Sequence, residues 1–260
     1  MEAGPDASLD GRLDRLYVEH VADLEGRYAR ALGEQGWDAI VIHSGSRSKR
    51  SVFDDQYWPL RPVPHWQHWL PLAEPDGALI VRPGRKPKLV RALDRSFWEK
   101  PPAPVTLAFL EVFEVVTVDD PAAVKLHVGS GRVAFVGEDL ARGAAWGIAE
   151  EGLCPPGLLG ALDRLRVTKT PYEIACIAEA NRRARAGHEA LRGAFRDADG
   201  SELSLHLLYL AATSQDDWET PYKNIVALGA NAADTTGLVK VGNVTAVGAS
   251  KASRGRSRKY

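Results

Sequence analysis

Apolar positions recur at helical spacing near the start of the chain. Leu13, Leu16, Tyr17, His20, Val21, Leu24 and Leu32 share one face of Ser8–Gln35, and charged residues occupy the other. The pattern predicts an amphipathic helix ending near Gly33 and Gly36. Trp37–His43 follows as an apolar run that reads as a buried strand, closed by Ser44 and Gly45. A helix that delivers a strand points to an α/β layer arrangement. Ala78–Arg82 and Lys88–Leu93 read as two strands of a hairpin across Pro83–Pro87. Glu111–Val118 and Arg132–Gly137 read as further strands, Pro121–His127 as a short helix, and Asp139–Glu150 as a weak helix rich in Ala and Gly.

Between these elements Arg47–Leu72 breaks the rhythm. Its prolines, among them Pro59, Pro62, Pro64 and Pro71, exclude a long helix. Its aromatics, including Phe53, Tyr57, Trp58, Trp66 and Trp69, need a surface to pack on. Read from residues alone, the segment is a loop and edge strand whose aromatics plug the core; an interface or pocket wall is the alternative.

Cys154-Pro155-Pro156-Gly157 is a turn or linker signal, and it places a domain boundary between residues 157 and 158. Thr170-Pro171-Tyr172-Glu173 then forms a capping box with proline at the first helical position. Ile174, Ile177, Asn181, Ala184, His188, Leu191 and Phe195 continue from it as one stripe. Ser201 opens a second helix carrying Leu203, Leu207 and Leu210. Pro221–Leu228 reads as a turn followed by a short buried strand. After Ala233 the composition shifts to Gly, Ser and basic residues, so 234–260 is expected to be disordered apart from a possible strand at Leu238–Val247.

Composition narrows the function classes. The 260 residues are 45% hydrophobic and 26% charged with a net charge of −1, which suits a globular chain and argues against a dedicated nucleic-acid partner. The Arg254–Lys259 run is read as a solvated tail. No apolar run is long enough to cross a bilayer, and Met1–Asp10 does not read as a signal peptide, so no membrane partner and a cytoplasmic location are expected. Cys154 and Cys176 imply no disulfide framework.

Motif chemistry is sparse. His65 and His68 have metal-capable spacing but lack accompanying carboxylate or cysteine motifs, so they are read as solvated loop histidines. His188 lies on an apolar stripe and is expected to be buried and hydrogen bonded. Asp54 and Asp55 are adjacent, so in an extended strand they point to opposite faces and do not form an acid pair. There is no phosphate-cradling glycine loop, no nucleophile elbow and no His-Glu-x-x-His helix.

The ordered set of local motifs resembles the bacterial Xaa-Pro dipeptidase (prolidase) family of the creatinase/aminopeptidase P/methionine aminopeptidase superfamily. It comprises Leu16–His20, Ile42–Gly45, Phe53–Pro59, His65–Pro71, Lys86–Leu89, Phe97-Trp98, Arg166–Cys176, Asn181 through His188, and Pro221–Leu228. The resemblance implies an α/β creatinase-type N-terminal domain over 1–157, with a mixed sheet and flanking helices. It implies the start of an α+β pita-bread domain over 158–233. It further implies hydrolysis of Xaa-Pro dipeptides, two manganese ions in the full-length family, and a homodimer. Carried over by matching position, Tyr222 lines the substrate pocket, while Asp55 and Trp98 reach the pocket of the partner subunit.

The sequence leaves the family pattern after Ala233. Where the family has an apolar pair and a His-Tyr, this chain has Asp234, Thr235, Thr236 and Gly237. The family's metal ligands are two aspartates, a histidine and two glutamates, all further downstream. Residues 234–260 contain one acid, Asp234, against six bases, and no histidine or glutamate. Two divalent cations need several carboxylates. No metal is therefore expected in this chain, nor catalytic residues, and it is predicted to be inactive alone. A non-catalytic dimerisation or binding module is the alternative. The divergent tail is expected to come from a shifted reading frame or a premature stop. DNA read past the Ala233 codon should then encode, in another frame, a His-Tyr followed by acidic ligand motifs; their absence from every frame refutes that origin.

Overall fold

The computed structural model describes residues 9–93, 111–197, 201–220, 222, 224–228 and 244–246. The chain divides into two compact units, Met1–Ile174 and Ala175–Tyr260. In the first unit, α1 (Leu9–Gln35) leads into β1 (Ala39–His43), as the apolar spacing predicts. A short helix α2 (Pro64–Gln67) precedes β2 (Ala78–Val81), β3 (Lys88–Ala92) and β4 (Glu114–Val118). A 3-10 turn at Pro121–Val124 runs into α3 (Lys125–Val128), then β5 (Val133–Val136) and α4 (Leu140–Ala145). Asp120 and Asp139 start these helical segments by accepting the backbone N–H groups of Ala122 and Arg142.

The five strands form one mixed sheet in the order β4-β3-β2-β1-β5. β1 is antiparallel to β2, with Ile40 opposite Val81, and parallel to β5, with Ile40 opposite Ala134. β2 and β3 make the expected antiparallel hairpin, and β4 adds in parallel to β3. Alternation along the strands sends side chains into two separate cores. Ile40, Ile42, Leu79, Val81, Leu89 and Val136 pack with α1, Trp66 and Trp69. Ala39, Val41, Ile80, Val90 and Phe135 pack on the other face with Val124, Val128 and Trp146.

Two helices lie where none is expected: α2 in the segment read as loop and edge strand, and another after Cys154. Pro155 and Pro156, read from the sequence as a linker, open α5 (Pro156–Leu165), with proline in the first turn, where its missing N–H costs nothing. Leu158, Ala161 and Leu162 join the core beneath α1. The compact unit consequently continues to Ile174, past the boundary expected at 157.

The long helix α6 (Pro171–Asp197) begins at the expected capping box. Thr170 Oγ1 accepts the Glu173 N–H at 3.3 Å, and the Glu173 carboxylate accepts the Thr170 N–H at 2.8 Å. The second unit contains α6 from Ala175 onward, α7 (Glu202–Thr213) and a parallel pair of short strands, β6 (Ile225–Ala227) and β7 (Val244–Ala246). Leu191, Leu205, Tyr209 and Leu210 form its core. Gly187 lets the helices approach, since a Cβ there would lie 2.6 Å from the Tyr209 ring. Of the stripe expected to run the length of α6, Leu191 is buried, Ala184, His188 and Phe195 are half-buried, and Ile174, Ile177 and Asn181 are exposed. β7 falls inside the strand expected at Leu238–Val247, while the disorder expected for most of 234–260 falls outside the described residues.

Leu162→Ala should cost about 2–5 kcal/mol in urea unfolding, because Leu162 is fully buried under α1. Leu126→Ala, at a residue exposed on α3, should stay within about 0.5 kcal/mol of the parent.

Candidate functional site

The irregular segment 47–59 folds back on itself as a projecting hairpin. Lys49 and Tyr57 form an antiparallel bridge. The Arg50 N–H donates to the Gln56 carbonyl at 2.9 Å, and the Trp58 N–H to the Ser48 carbonyl at 2.8 Å. Short polar side chains fix the tip: Ser51 Oγ accepts the Phe53 N–H at 3.2 Å, and Asp54 Oδ1 accepts the Gln56 N–H at 2.9 Å. Asp54 therefore shapes the turn, and Asp55 is exposed on it. The arm is amphipathic in an unusual place. Val52 is 84% exposed and Phe53 97%, with the Arg50 guanidinium stacked 4.8 Å from the Trp58 ring. Of the aromatics expected to plug the core, Trp66 and Trp69 do so, whereas Phe53, Tyr57 and Trp58 face solvent.

Tyr222 lies in the second unit, half-buried just before β6. Burial, with the Tyr222 phenol nearby, pushes the Tyr209 hydroxyl above its usual range. Trp98 lies outside the described residues. Asp55 and Tyr222 belong to different units, each of which is compact by itself.

At the base of the hairpin, beyond the end of β1, lies a polar cluster. Ser46 Oγ donates to Asp76 Oδ1 at 2.6 Å, and Arg142 Nη2 donates to the same oxygen at 3.3 Å. Burial pushes the Asp76 carboxyl up, but His43, Ser46 and Arg142 facing it outweigh that and hold it below the usual range. His43 is fully buried between Trp146, Phe135 and this cluster, with Nε2 3.7 Å from Asp76 and, among the described residues, no hydrogen bond to either ring nitrogen.

A second buried polar network joins α1, the α2 segment and the start of α6. His20 Nε2 meets the His68 carbonyl at 2.8 Å, and His20 Nδ1 meets Thr170 Oγ1 at 2.8 Å. Tyr28 hydroxyl lies 3.4 Å from His68 Nδ1, and Tyr17 donates to the Trp69 carbonyl at 2.7 Å. His65 and His68, read from the sequence as solvated, are buried. The short helix α2 turns both inward, His65 toward Asp163 on α5 and His68 toward Tyr28 on α1. Burial lowers His68 to about 3, with the neighbouring His20, Arg166 and Lys169 acting in the same direction. The Thr170 cap and the place of His20 on its helix are legible in the sequence; their meeting, which joins positions 150 residues apart, is not. Half-buried His188 packs edge-on against Tyr209, ring centroids 5.4 Å apart.

Among the described residues, no group of three or more His, Cys, Asp or Glu side chains is placed to hold a metal ion. No helix among them is long and apolar enough to cross a membrane.

The mixed sheet with helices on both faces is an α/β domain of the creatinase type. The chain superposes on proline aminopeptidase P II from Yersinia pestis with a TM-score of 0.55 at 15% identity, over 76% of this chain and 50% of that one. Aminopeptidase P from E. coli with the inhibitor Pro-Leu gives 0.52 at 16%, over 73% and 48%. At these identities the likeness is one of fold. Sequence goes further, since residues 15–163 match the model of the Xaa-Pro dipeptidase N-terminal domain, and the chain belongs to that family. The Xaa-Pro dipeptidase of Pseudoalteromonas atlantica is 37% identical over 225 residues, covering 85% of this chain and 50% of the relative. That of Marinobacter nauticus is 37% identical over 218 residues, covering 84% and 49%. The chain thus spans about half the length of the curated relatives it matches.

The buried histidines set a pH dependence. His68 is held near 3 when folded and titrates near 6.5 when unfolded. Above the unfolded value both states are neutral and stability is unaffected. As pH falls through that value the unfolded state takes up a proton that the folded state refuses, so stability drops by about 1.4 kcal/mol per pH unit from this residue alone. Urea unfolding across this range should show the decline, and His68→Leu should remove one proton's worth of its slope.

Proposed function

We propose that this chain supplies the N-terminal, pocket-completing half of a metal-dependent Xaa-Pro dipeptidase. The observation that carries the reading is the family match over residues 15–163, supported by identity to dipeptidases that extends to 85% of the chain. In this reading the first unit is a dimerisation domain and the hairpin at 48–58 is the part offered to a second subunit. Its exposed Val52 and Phe53 suit burial against another protein surface. The exposed carboxylate of Asp55 suits the free ammonium group of a dipeptide. Trp98 joins Asp55 in the partner's pocket, and Tyr222 lines the pocket of its own subunit at the first strand of a pita-bread domain. A cytoplasmic setting fits the small peptide substrate.

The donor set for two manganese ions does not fit the residues present. None is grouped for metal among the described residues, and 234–260 contributes only Asp234 as a carboxylate. In this reading the chain by itself acts as a binding and dimerisation module. An exposed aromatic hairpin tip favours that second role independently of any chemistry.

The purified 260-residue chain, incubated with manganese and desalted, should retain no stoichiometric metal and should not release proline from Ala-Pro. It should sediment as a dimer that Phe53→Ser weakens. Stoichiometric metal with turnover would overturn the inactive reading; a monomer at micromolar concentration would overturn the dimerisation role.

A further inference from the structure

The buried contact between His20 and Thr170 has a definite proton arrangement. The His68 carbonyl accepts only, so His20 Nε2, 2.8 Å away, carries a proton. In a neutral ring Nδ1 is then an acceptor, and the Thr170 hydroxyl at 2.8 Å donates to it. The same Thr170 oxygen accepts the Glu173 N–H at 3.3 Å, which caps α6. Both groups are almost fully buried, His20 at 3% and Thr170 at 2% exposure. We propose that His20 is a pH-sensitive latch: its neutral ring fastens the first turn of α6 to α1 and to the segment after α2, and protonation at Nδ1 releases that turn.

Protonation sets two donors against each other, an imidazolium N–H and the Thr170 O–H. The hydroxyl proton must then turn away inside a buried site, where an unmet donor is costly. The surroundings do not rescue the cation. On its own helix His20 faces Tyr17, Asp23 and Arg27; from the α2 segment it faces His68; from α6 it faces Thr170, Tyr172 and Glu173. Burial disfavours the charged ring and Arg27 adds to this, while the His68 carbonyl, Glu173 and Asp23 oppose it; burial wins, and the ring lies below its usual value. His68 stays neutral in the relevant range, at about 3. Glu173 is committed elsewhere: one oxygen accepts the Thr170 N–H at 2.8 Å, and the other lies 3.8 Å from His68 Nε2 and 4.0 Å from Lys169 Nζ. It cannot swing to His20 without surrendering the cap.

The sign follows from linkage. Above the ordinary imidazole value both docked and released states are neutral, and docking is independent of pH. Below it, the released state binds a proton that the docked state excludes, so the release constant rises by up to tenfold per pH unit until the docked value is reached.

Hydrogen exchange on the full chain, corrected for intrinsic rates, tests this at about pH 7.5 and about pH 5. The Glu173 and Ile174 amides bond to Thr170 Oγ1 and to the Thr170 carbonyl. Their protection should fall about tenfold or more, and at the lower pH they should exchange ahead of the amides of β1 and β5. His20→Gln should make the response smaller, leaving the part that His68 contributes through global unfolding, and Thr170→Val should also reduce it while leaving His20 titratable. Unchanged wild-type protection, exchange no faster than that of the sheet amides at the lower pH, or a full response in His20→Gln would each overturn the latch. Should His20→Gln fail to fold, titration of the wild-type His20 ring by NMR decides: a value below the ordinary imidazole range supports the latch, and a value within or above it overturns it.

Discussion

Burial of β1 on both faces is the constraint on which the first unit depends. All five of its residues are inaccessible. Ile40 and Ile42 point into one core, Ala39 and Val41 into the other. A strand in that position needs cover on each side, and α1 with α5 supplies one layer while the 125–128 helix and Trp146 supply the second. The strand also joins two pairing styles, antiparallel to β2 and parallel to β5. Where it ends the chain must leave the sheet. Gly45, with φ of 121°, makes that exit at the root of the exposed hairpin.

The hairpin and the core beneath it divide the labour of one aromatic-rich segment. Trp66 and Trp69 are drawn inward by a single short helix that proline starts. Phe53, Tyr57 and Trp58 are held outward by a turn that Ser51 and Asp54 tie with side-chain bonds. Apolar surface held in solvent by a defined structure calls for a partner more strongly than apolar surface on a loose loop, because its ordering cost is already met. Membership of the Xaa-Pro dipeptidase N-terminal domain family gives that surface a context.

Buried polar groups give the unit specificity that its apolar core does not. Thr170 closes a helix cap and at the same time serves a histidine from α1. Arg91, inside β3, reaches Glu74 with a two-pronged ion pair. Each such group fits only one arrangement of the elements around it, since a buried polar atom without its partner is costly. His43, with neither ring nitrogen hydrogen bonded among the described residues, departs from this pattern, as do His68 Nε2 and Trp69 Nε1.

The sequence by itself determined the local elements and the family. α1, the β2–β3 hairpin and the Thr170–Glu173 capping box were legible because period, turn chemistry and capping act over a few neighbouring residues. The helix at Pro156–Leu165 was hidden because two prolines mark a linker and a helix start equally well, and only the apolar bed beneath α1 decides between them. Asp55 and Tyr222 enter as pocket residues through resemblance alone and belong to the proposed function. Tertiary structure decided the mixed strand order, the inward turn of His65 and His68, the exposure of Phe53, and the meeting of His20 with Thr170. Each of these depends on surfaces far apart along the chain, and local sequence periodicity carries no information about which distant surface a side chain will meet.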